Sequence, residues 1–219
     1  MTQIRIVQTA DGSNTLFSER HNAHYHSLNG ALQESVHIFL KNGYEYLSIN
    51  PTYILEVGFG SGLNAALTAS KAIDIKCNTS YTGIELYPLK DDILSKLNYN
   101  SILNKQESEA WEKIISTKWD VEEQINEFFL LNKVHGDLTE MSLQKKYNII
   151  YFDAFAPDDQ PELWTVNIFE KLYRATSNNG VLVTYCSKGI VKQALRAVGH
   201  KVERLAGPPG KRHMIRATR

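Results

Sequence analysis

Three glycines on alternate positions, Gly58, Gly60 and Gly62, follow the apolar run Tyr53-Ile-Leu-Glu-Val57 and lead into a helical pattern that opens with Leu63 and Asn64. Such a turn lets the backbone approach a ligand that a Cβ would hold off, and the helix after it offers unpaired N–H groups. The combination reads as a cofactor cradle. Its spacing is G-x-G-x-G, with Leu63 where a dinucleotide fingerprint needs its third glycine. Acids stand where four apolar runs stop: Glu56, Glu85 after Ser80-Tyr-Thr-Gly-Ile, Asp137 (with Leu138) after Asn132-Lys-Val-His-Gly, and Asp153 after Tyr147-Asn-Ile-Ile-Tyr-Phe. In open α/β sheets ligands sit beyond the carboxyl ends of the strands, so these acids point to one site. Glu85 follows Glu56 by 29 residues, more than the usual spacing of about 20, and a loop at 73–79 is expected to take up the excess.

The elements that must position these residues alternate. Ile4 to Thr9, the Asp11-Gly12 turn and Thr15-Leu-Phe17 predict a hairpin, and Leu32, Val36, Phe39 and Leu40 predict a helix over 29–41. Strands are expected at 53–58, 80–85, 132–135, 147–153 and 180–186, with helices at 62–71, 89–98, near 107–130, 162–175 and 188–198. Alternating β and α with apolar strands implies a mostly parallel sheet covered on both faces. Lys201–Ala206, the Gly207-Pro-Pro-Gly210 turn and His213–Ala217 predict an antiparallel hairpin that closes the sheet. At 219 residues one compact domain is expected, with residues 1–50 as an N-terminal hairpin-and-helix extension of a catalytic unit at 51–219.

The net charge is zero, yet residues 188–219 hold nine Lys or Arg and one acid, so a formal −8 body is joined to a +8 C-terminal segment. That polarity can steer a polyanion to one face. Lys188, Lys192 and Arg196 recur four apart and would form one basic helical stripe. Cys77 and Cys186 are read as core thiols, and the His21–His26 cluster lacks the partners of a metal site, so no metal is expected; Tyr25 or His26 lining a cofactor entrance fits better. No apolar run approaches the roughly 18 residues of a membrane span, and no signal-peptide core follows Met1, so no membrane contact and a cytoplasmic location are expected.

The glycine pattern resembles motif I of the class I S-adenosylmethionine (SAM) methyltransferases. Phe152-Asp-Ala-Phe-Ala-Pro157 is followed by Gln160-Pro-Glu-Leu-Trp164-Thr165 and Phe169. Together with Gly58–Asn64, Tyr185-Cys-Ser-Lys-Gly-Ile-Val191, and Lys211, Arg212 and Met214, these motifs resemble the methyltransferase domain of MnmC, the bifunctional tRNA wobble-uridine modification enzymes, and its stand-alone relative MnmD, over roughly residues 14–217. The resemblance implies the Rossmann-like class I SAM-dependent methyltransferase fold. It implies SAM as cofactor, with Glu56 near its methionine part, Gly58, Gly60, Gly62 and Asn64 also in its binding site, Glu85 on the ribose, Asp137 and Leu138 at the adenine, and Asp153 beside the methyl group.

The implied reaction is methylation of the exocyclic amine of 5-aminomethyl-(2-thio)uridine at the wobble position, and the implied partner is the tRNA anticodon stem-loop. Asp153 is the expected catalytic residue, because an alkylamine is nucleophilic only after losing a proton. Phe155, Trp164 and Tyr185 are placed to stack on an extruded base, although Trp164 equally suits packing of the helix after it. Lys188, Lys192, Arg196, Lys211 and Arg212 would bind the tRNA. The bifunctional relatives continue into a flavin-dependent oxidase where this sequence ends, so no fused oxidase and methylation alone are expected. Two alternatives stay open: a SAM-type transferase acting on a small-molecule amine, which the basic C-terminal segment disfavours, and an RNA-binding module on a vestigial fold, which the intact glycines and acids disfavour.

Overall fold

The computed structural model describes residues 4–219. β1 (Ile4–Gln8) and β2 (Asn14–Ser18) form the expected antiparallel hairpin, and a short β3 (Ala23–His24) adds to β2 as a third strand. Asp11 organises the turn: its Oδ1 accepts from the Ser13 N–H at 3.0 Å and the Thr9 hydroxyl at 2.8 Å. The helix that follows has three segments, α1 (Ala31–Ser35), a π-helical stretch Val36–Tyr44, and α2 (Glu45–Leu47). The wider π turn rotates the buried face away from the stripe a 3.6-residue period gives. Ala31, Ser35, Ile38, Phe39, Gly43 and Tyr44 are buried, whereas Leu32, Val36 and Leu40 are only partly so.

β4 (Thr52–Val57), α3 (Leu63–Asp74), β5 (Thr79–Glu85), α4 (Asp91–Leu94), α5 (Tyr99–Ile102), α6 (Lys105–Ser116), β6 (Glu122–Asn126), β7 (Phe129–His135), β8 (Tyr147–Phe152), a 3-10 turn Pro161–Trp164, α7 (Val166–Ala175), β9 (Thr176–Thr184), α8 (Gly189–Ala197), β10 (Lys201–Ala206) and β11 (His213–Thr218) complete the chain. Eight strands form one sheet in the order β10-β11-β9-β8-β4-β5-β7-β6. The five central strands are parallel, and antiparallel β10–β11 closes one side as expected.

Three expectations are corrected. The long helix near 107–130 is α6, opened by an Asn104/Glu107 capping box, and then β6, which pairs antiparallel with β7. Its Glu122-Glu-Gln sequence suits a helix surface, but an edge strand with one solvated face takes the same residues, and pairing overrides local propensity. The helix at 89–98 is instead the one-turn α4, and the short α5 lies beyond it. The 73–79 loop shrinks to residues 75–78 because α3 runs on to Asp74, so helix rather than loop takes up the long Glu56–Glu85 spacing.

Strand alternation sorts the sheet into two cores. Ile54, Tyr81 and Tyr151 face α3, α6 and the N-terminal helix, while Leu55, Val57, Ile150 and Phe152 face α7 and α8. Glu56 shares the parity of Ile54, which sends its carboxyl under α3.

Candidate active site

The carboxyl ends of β4, β5, β7 and β8 open into a cleft of about 1250 Å³, roofed by Glu19 to Ser27 of the N-terminal extension. Gly58 and Gly60 line its floor at φ +87° and +53°. A Cβ on Gly58 would lie 2.5 Å from the Asp153 carbonyl oxygen, so only glycine lets the motif pass this close to the end of β8. Gly62 starts α3 behind this floor. Glu85 is fixed by two backbone amides: its Oε2 accepts from Gly60 N–H at 3.0 Å and its Oε1 from Tyr87 N–H at 2.9 Å. Glu85 lines the cleft, and each of its oxygens keeps acceptor capacity beyond these bonds. Asp137 and Leu138 line the cleft too, and Asp137 Oδ1 accepts from the Thr139 N–H at 2.8 Å and hydroxyl at 2.7 Å.

Glu56 does not line the cleft, which corrects its expected place against the ligand. It is 1% exposed, and its oxygens accept from Asn64 Nδ2 at 2.8 Å and from the Tyr81 hydroxyl at 2.8 Å. Burial, with Asp153 next in weight among the groups raising it, pushes this carboxyl well above the usual carboxylate range. Asn64 is buried as well, and its Nδ2 also donates to Asp153 Oδ2 at 2.9 Å, so it links the hidden acid to the one that lines the cleft. Asp153 lines the cleft, and burial pushes its carboxyl up to about 7, Glu34 adding to the rise and Asn64 and Lys211 opposing it. A carboxyl tuned near neutrality suits proton acceptance at cellular pH.

The Asp153-Ala-Phe-Ala-Pro157 loop is held by three side chains. The Tyr185 hydroxyl donates to Ala154 O at 2.9 Å, Trp164 Nε1 donates to Phe155 O at 2.7 Å, and Gln160 Oε1 accepts from Phe155 N–H at 3.2 Å. Trp164 is 6% exposed and packs edge-on against Phe152 and Phe169. Its expected base-stacking role is therefore corrected: the ring belongs to the core, and its N–H fastens the loop. Phe155 and Tyr185 do line the cleft. His21 stacks on Phe155 with ring centroids 4.4 Å apart, and Tyr25 meets the same ring edge-on at 5.0 Å.

Tyr25 and His26 sit in the cleft wall, and burial lowers the His26 pKa, which favours its neutral form. Glu34, which the sequence does not single out, also lines the cleft and pairs with Lys211. Lys188, Lys192, Arg196 and Arg212 lie outside the cleft lining. Lys188 precedes α8 rather than sitting on it, and pairs with Asp158. The stripe expectation is thereby reduced to Lys192 and Arg196. A different cluster forms around His213, where Arg204, Arg212 and Lys192 add to the effect of burial in lowering its pKa. Both cysteines are buried free thiols, and no His, Cys, Asp or Glu group among the described residues is arranged to hold a metal.

The profile of the S-adenosyl-L-methionine-dependent methyltransferases matches residues 100–219. The chain belongs to this family. Curated relatives of this methyltransferase include the tRNA 5-methylaminomethyl-2-thiouridine biosynthesis bifunctional proteins MnmC of Leptospira interrogans, 30% identical over 217 residues, and Burkholderia multivorans, 28% identical over 216 residues. Each alignment covers 92% of this chain and 33% of the relative, so the chain spans about a third of their length. Among solved structures, MnmC2 from Aquifex aeolicus is 26% identical with a TM-score of 0.83, over 99% of this chain and 70% of that one. Spermidine synthase from Thermotoga maritima shares the fold at a TM-score of 0.60 and 13% identity, over 100% of this chain and 69% of that one. The family and fold expected from the motifs are thus the ones found.

The methyltransferase cleft suits its cofactor on two counts: the glycine floor leaves room that side chains would fill, and Glu85 is fixed with acceptor positions left over. Asn64, like Glu56, is buried outside the cleft lining, which corrects its expected contact with the cofactor. No helix among the described residues is long and apolar enough to cross a membrane.

Proposed function

We propose that this methyltransferase acts on the exocyclic amine of 5-aminomethyl-(2-thio)uridine at the wobble position of tRNA, giving the 5-methylaminomethyl product. The observation that carries this reading is Asp153: a carboxyl held near pKa 7 at the end of β8, in a cleft walled by Phe155 and Tyr185. The MnmC relatives, named for 5-methylaminomethyl-2-thiouridine biosynthesis in tRNA, support the same substrate class. Gly58 and Gly60 would hold the cofactor through close backbone approach, Glu85 its ribose hydroxyls, and Asp137 with Leu138 its adenine. SAM supplies an electrophilic methyl group carried on a positively charged sulfur.

The protein's own task is to prepare the amine. An alkylamine reaches the site as an ammonium and must lose one proton before its lone pair can attack. Ionised Asp153 accepts that proton or its hydrogen bond, aligns the lone pair, and stabilises the positive charge that nitrogen acquires. Asn64 keeps Asp153 Oδ2 fixed, and among the described residues Oδ1 has no partner. Phe155 and Tyr185 offer faces for an extruded base, and Lys192, Arg204 and Arg212 offer contacts to the tRNA backbone. The test is incubation of the purified protein with SAM and tRNA carrying 5-aminomethyluridine, followed by nucleoside mass spectrometry. The product should gain one methyl group; methylation of free alkylamines but not of this tRNA would replace the reading with the small-amine alternative.

A further inference from the structure

Glu34 and Lys211, far apart in sequence, meet in the cleft and leave an ammonium group in a site shaped for one. Glu34, on α1, has a side chain only 7% exposed; its Oε2 accepts from Ser27 N–H at 2.9 Å and its Oε1 holds the Lys211 ammonium. Lys211 comes from the β10–β11 turn, and its Nζ stands 3.9 Å from the centroid of the Tyr185 ring. Tyr185 is itself fixed through its hydroxyl to the carbonyl of Ala154, next to Asp153. A buried carboxylate and an aromatic face therefore converge on one cation, an arrangement that recognises alkylammonium ions. The same wall of the cleft holds Asp153 and His26.

The two partners differ in freedom. Lys211 is 29% exposed on a flexible stem, so it can swing to solvent, whereas Glu34, 7% exposed, is fixed in the cleft wall. An unpaired buried carboxylate is costly, so whatever displaces Lys211 has to bring a positive charge of its own. The end of an aminomethyl side chain is a primary ammonium, as is the end of lysine. We propose that Lys211 holds the place of the acceptor's alkylammonium group: the substrate ammonium replaces it on Glu34 and the Tyr185 face, and Lys211 swings outward beside Arg212. The proposal rests on the amine-methylation reading above and adds to it a charge filter. A neutral or anionic uridine substituent leaves Lys211 in place and is not admitted, while an ammonium enters and is delivered to Asp153.

Lys211→Met removes the resident ammonium, and ethylammonium chloride is the probe. Ethylammonium should raise the melting temperature of Lys211→Met above that in sodium chloride of equal ionic strength. Its effect on the unmodified protein should be much smaller, because the tethered Lys211 ammonium competes for the same place, and it should vanish in the Lys211→Met/Glu34→Gln double variant, whose neutral pair folds without a cation. In the otherwise unmodified protein, Glu34→Gln should raise KM for tRNA carrying 5-aminomethyluridine about 10- to 100-fold, the scale of one charged hydrogen bond, with SAM affinity unchanged. Equal melting temperatures of Lys211→Met in the two salts, or an unchanged KM in Glu34→Gln, overturn the proposal. If the unmodified protein does not methylate that tRNA while Lys211→Met still responds to ethylammonium, the substrate reading fails and the cation site stands.

Discussion

Replacing Asn64 by Leu, a side chain of similar size, removes the donor that reaches Asp153 Oδ2 at 2.9 Å without touching the acid itself. The hydrogen bond favours ionised Asp153 and holds its pKa down against burial, and the balance lies at about 7. A hydrogen bond to a charged group contributes about 1.5–3 kcal/mol. At 1.36 kcal/mol per unit, its loss should raise the Asp153 pKa by roughly one to two units. The active form is the carboxylate, so the methylation rate should climb with pH through about 7 in the unmodified protein. In Asn64→Leu the same limb should be displaced to the alkaline side by that amount, with the plateau rate largely recovered. The assay is single-turnover methylation of 5-aminomethyluridine tRNA at saturating SAM, from mildly acidic to alkaline pH, with folding checked by circular dichroism. A limb that stays where it was would show that Asp153 is not the titrating group or that Asn64 does not set its acidity. Stability has the opposite slope. The folded Asp153 pKa of about 7 lies above the ordinary 3.8, so in that window the native state binds the extra proton and stability falls as pH rises. Asp153→Asn should flatten that part of the stability curve.

Glu85→Ala should weaken SAM binding by about 1.5–3 kcal/mol in calorimetry, since it removes the expected ribose acceptor and the brace on Gly60; unchanged affinity would take Glu85 out of the site. Trp164→Phe keeps an aromatic face but loses the 2.7 Å bond to Phe155 O, so it should cost about 1 kcal/mol of stability and lower kcat/KM. Full activity and stability in that variant would instead favour a stacking role. Changing Lys192, Arg204 and Arg212 together to Gln should weaken tRNA binding and reduce the slope of log affinity against log salt by somewhat under one per lost phosphate contact, leaving SAM affinity intact. A filter-binding slope that did not move would place the tRNA on another face.

Much of this architecture is written in local patterns. The apolar strands, the glycines after β4 and the acids where β4, β5 and β8 stop are short-range features, because a parallel sheet needs continuous apolar runs and its ligands gather at strand ends. Asp153 and Glu85 were legible for that reason. Their environment was not. The parity that buries Glu56 with Ile54 is implicit in a period of two, but its bonds to Asn64 and Tyr81 exist only once α3 and β5 pack on β4. Likewise β6 became a strand through pairing with β7, against the helical look of its glutamates. Trp164 was drawn into the core by Phe152 and Phe169, and Lys188 was taken off the basic stripe by Asp158. Glu34 shows the limit most clearly. Nothing near it in sequence marks it as functional, and its partner Lys211 lies 177 residues away. Sequence fixes which chemical groups exist and which elements carry them; burial and proximity, which set acidity and decide what each group can touch, arise only when distant elements share one interior.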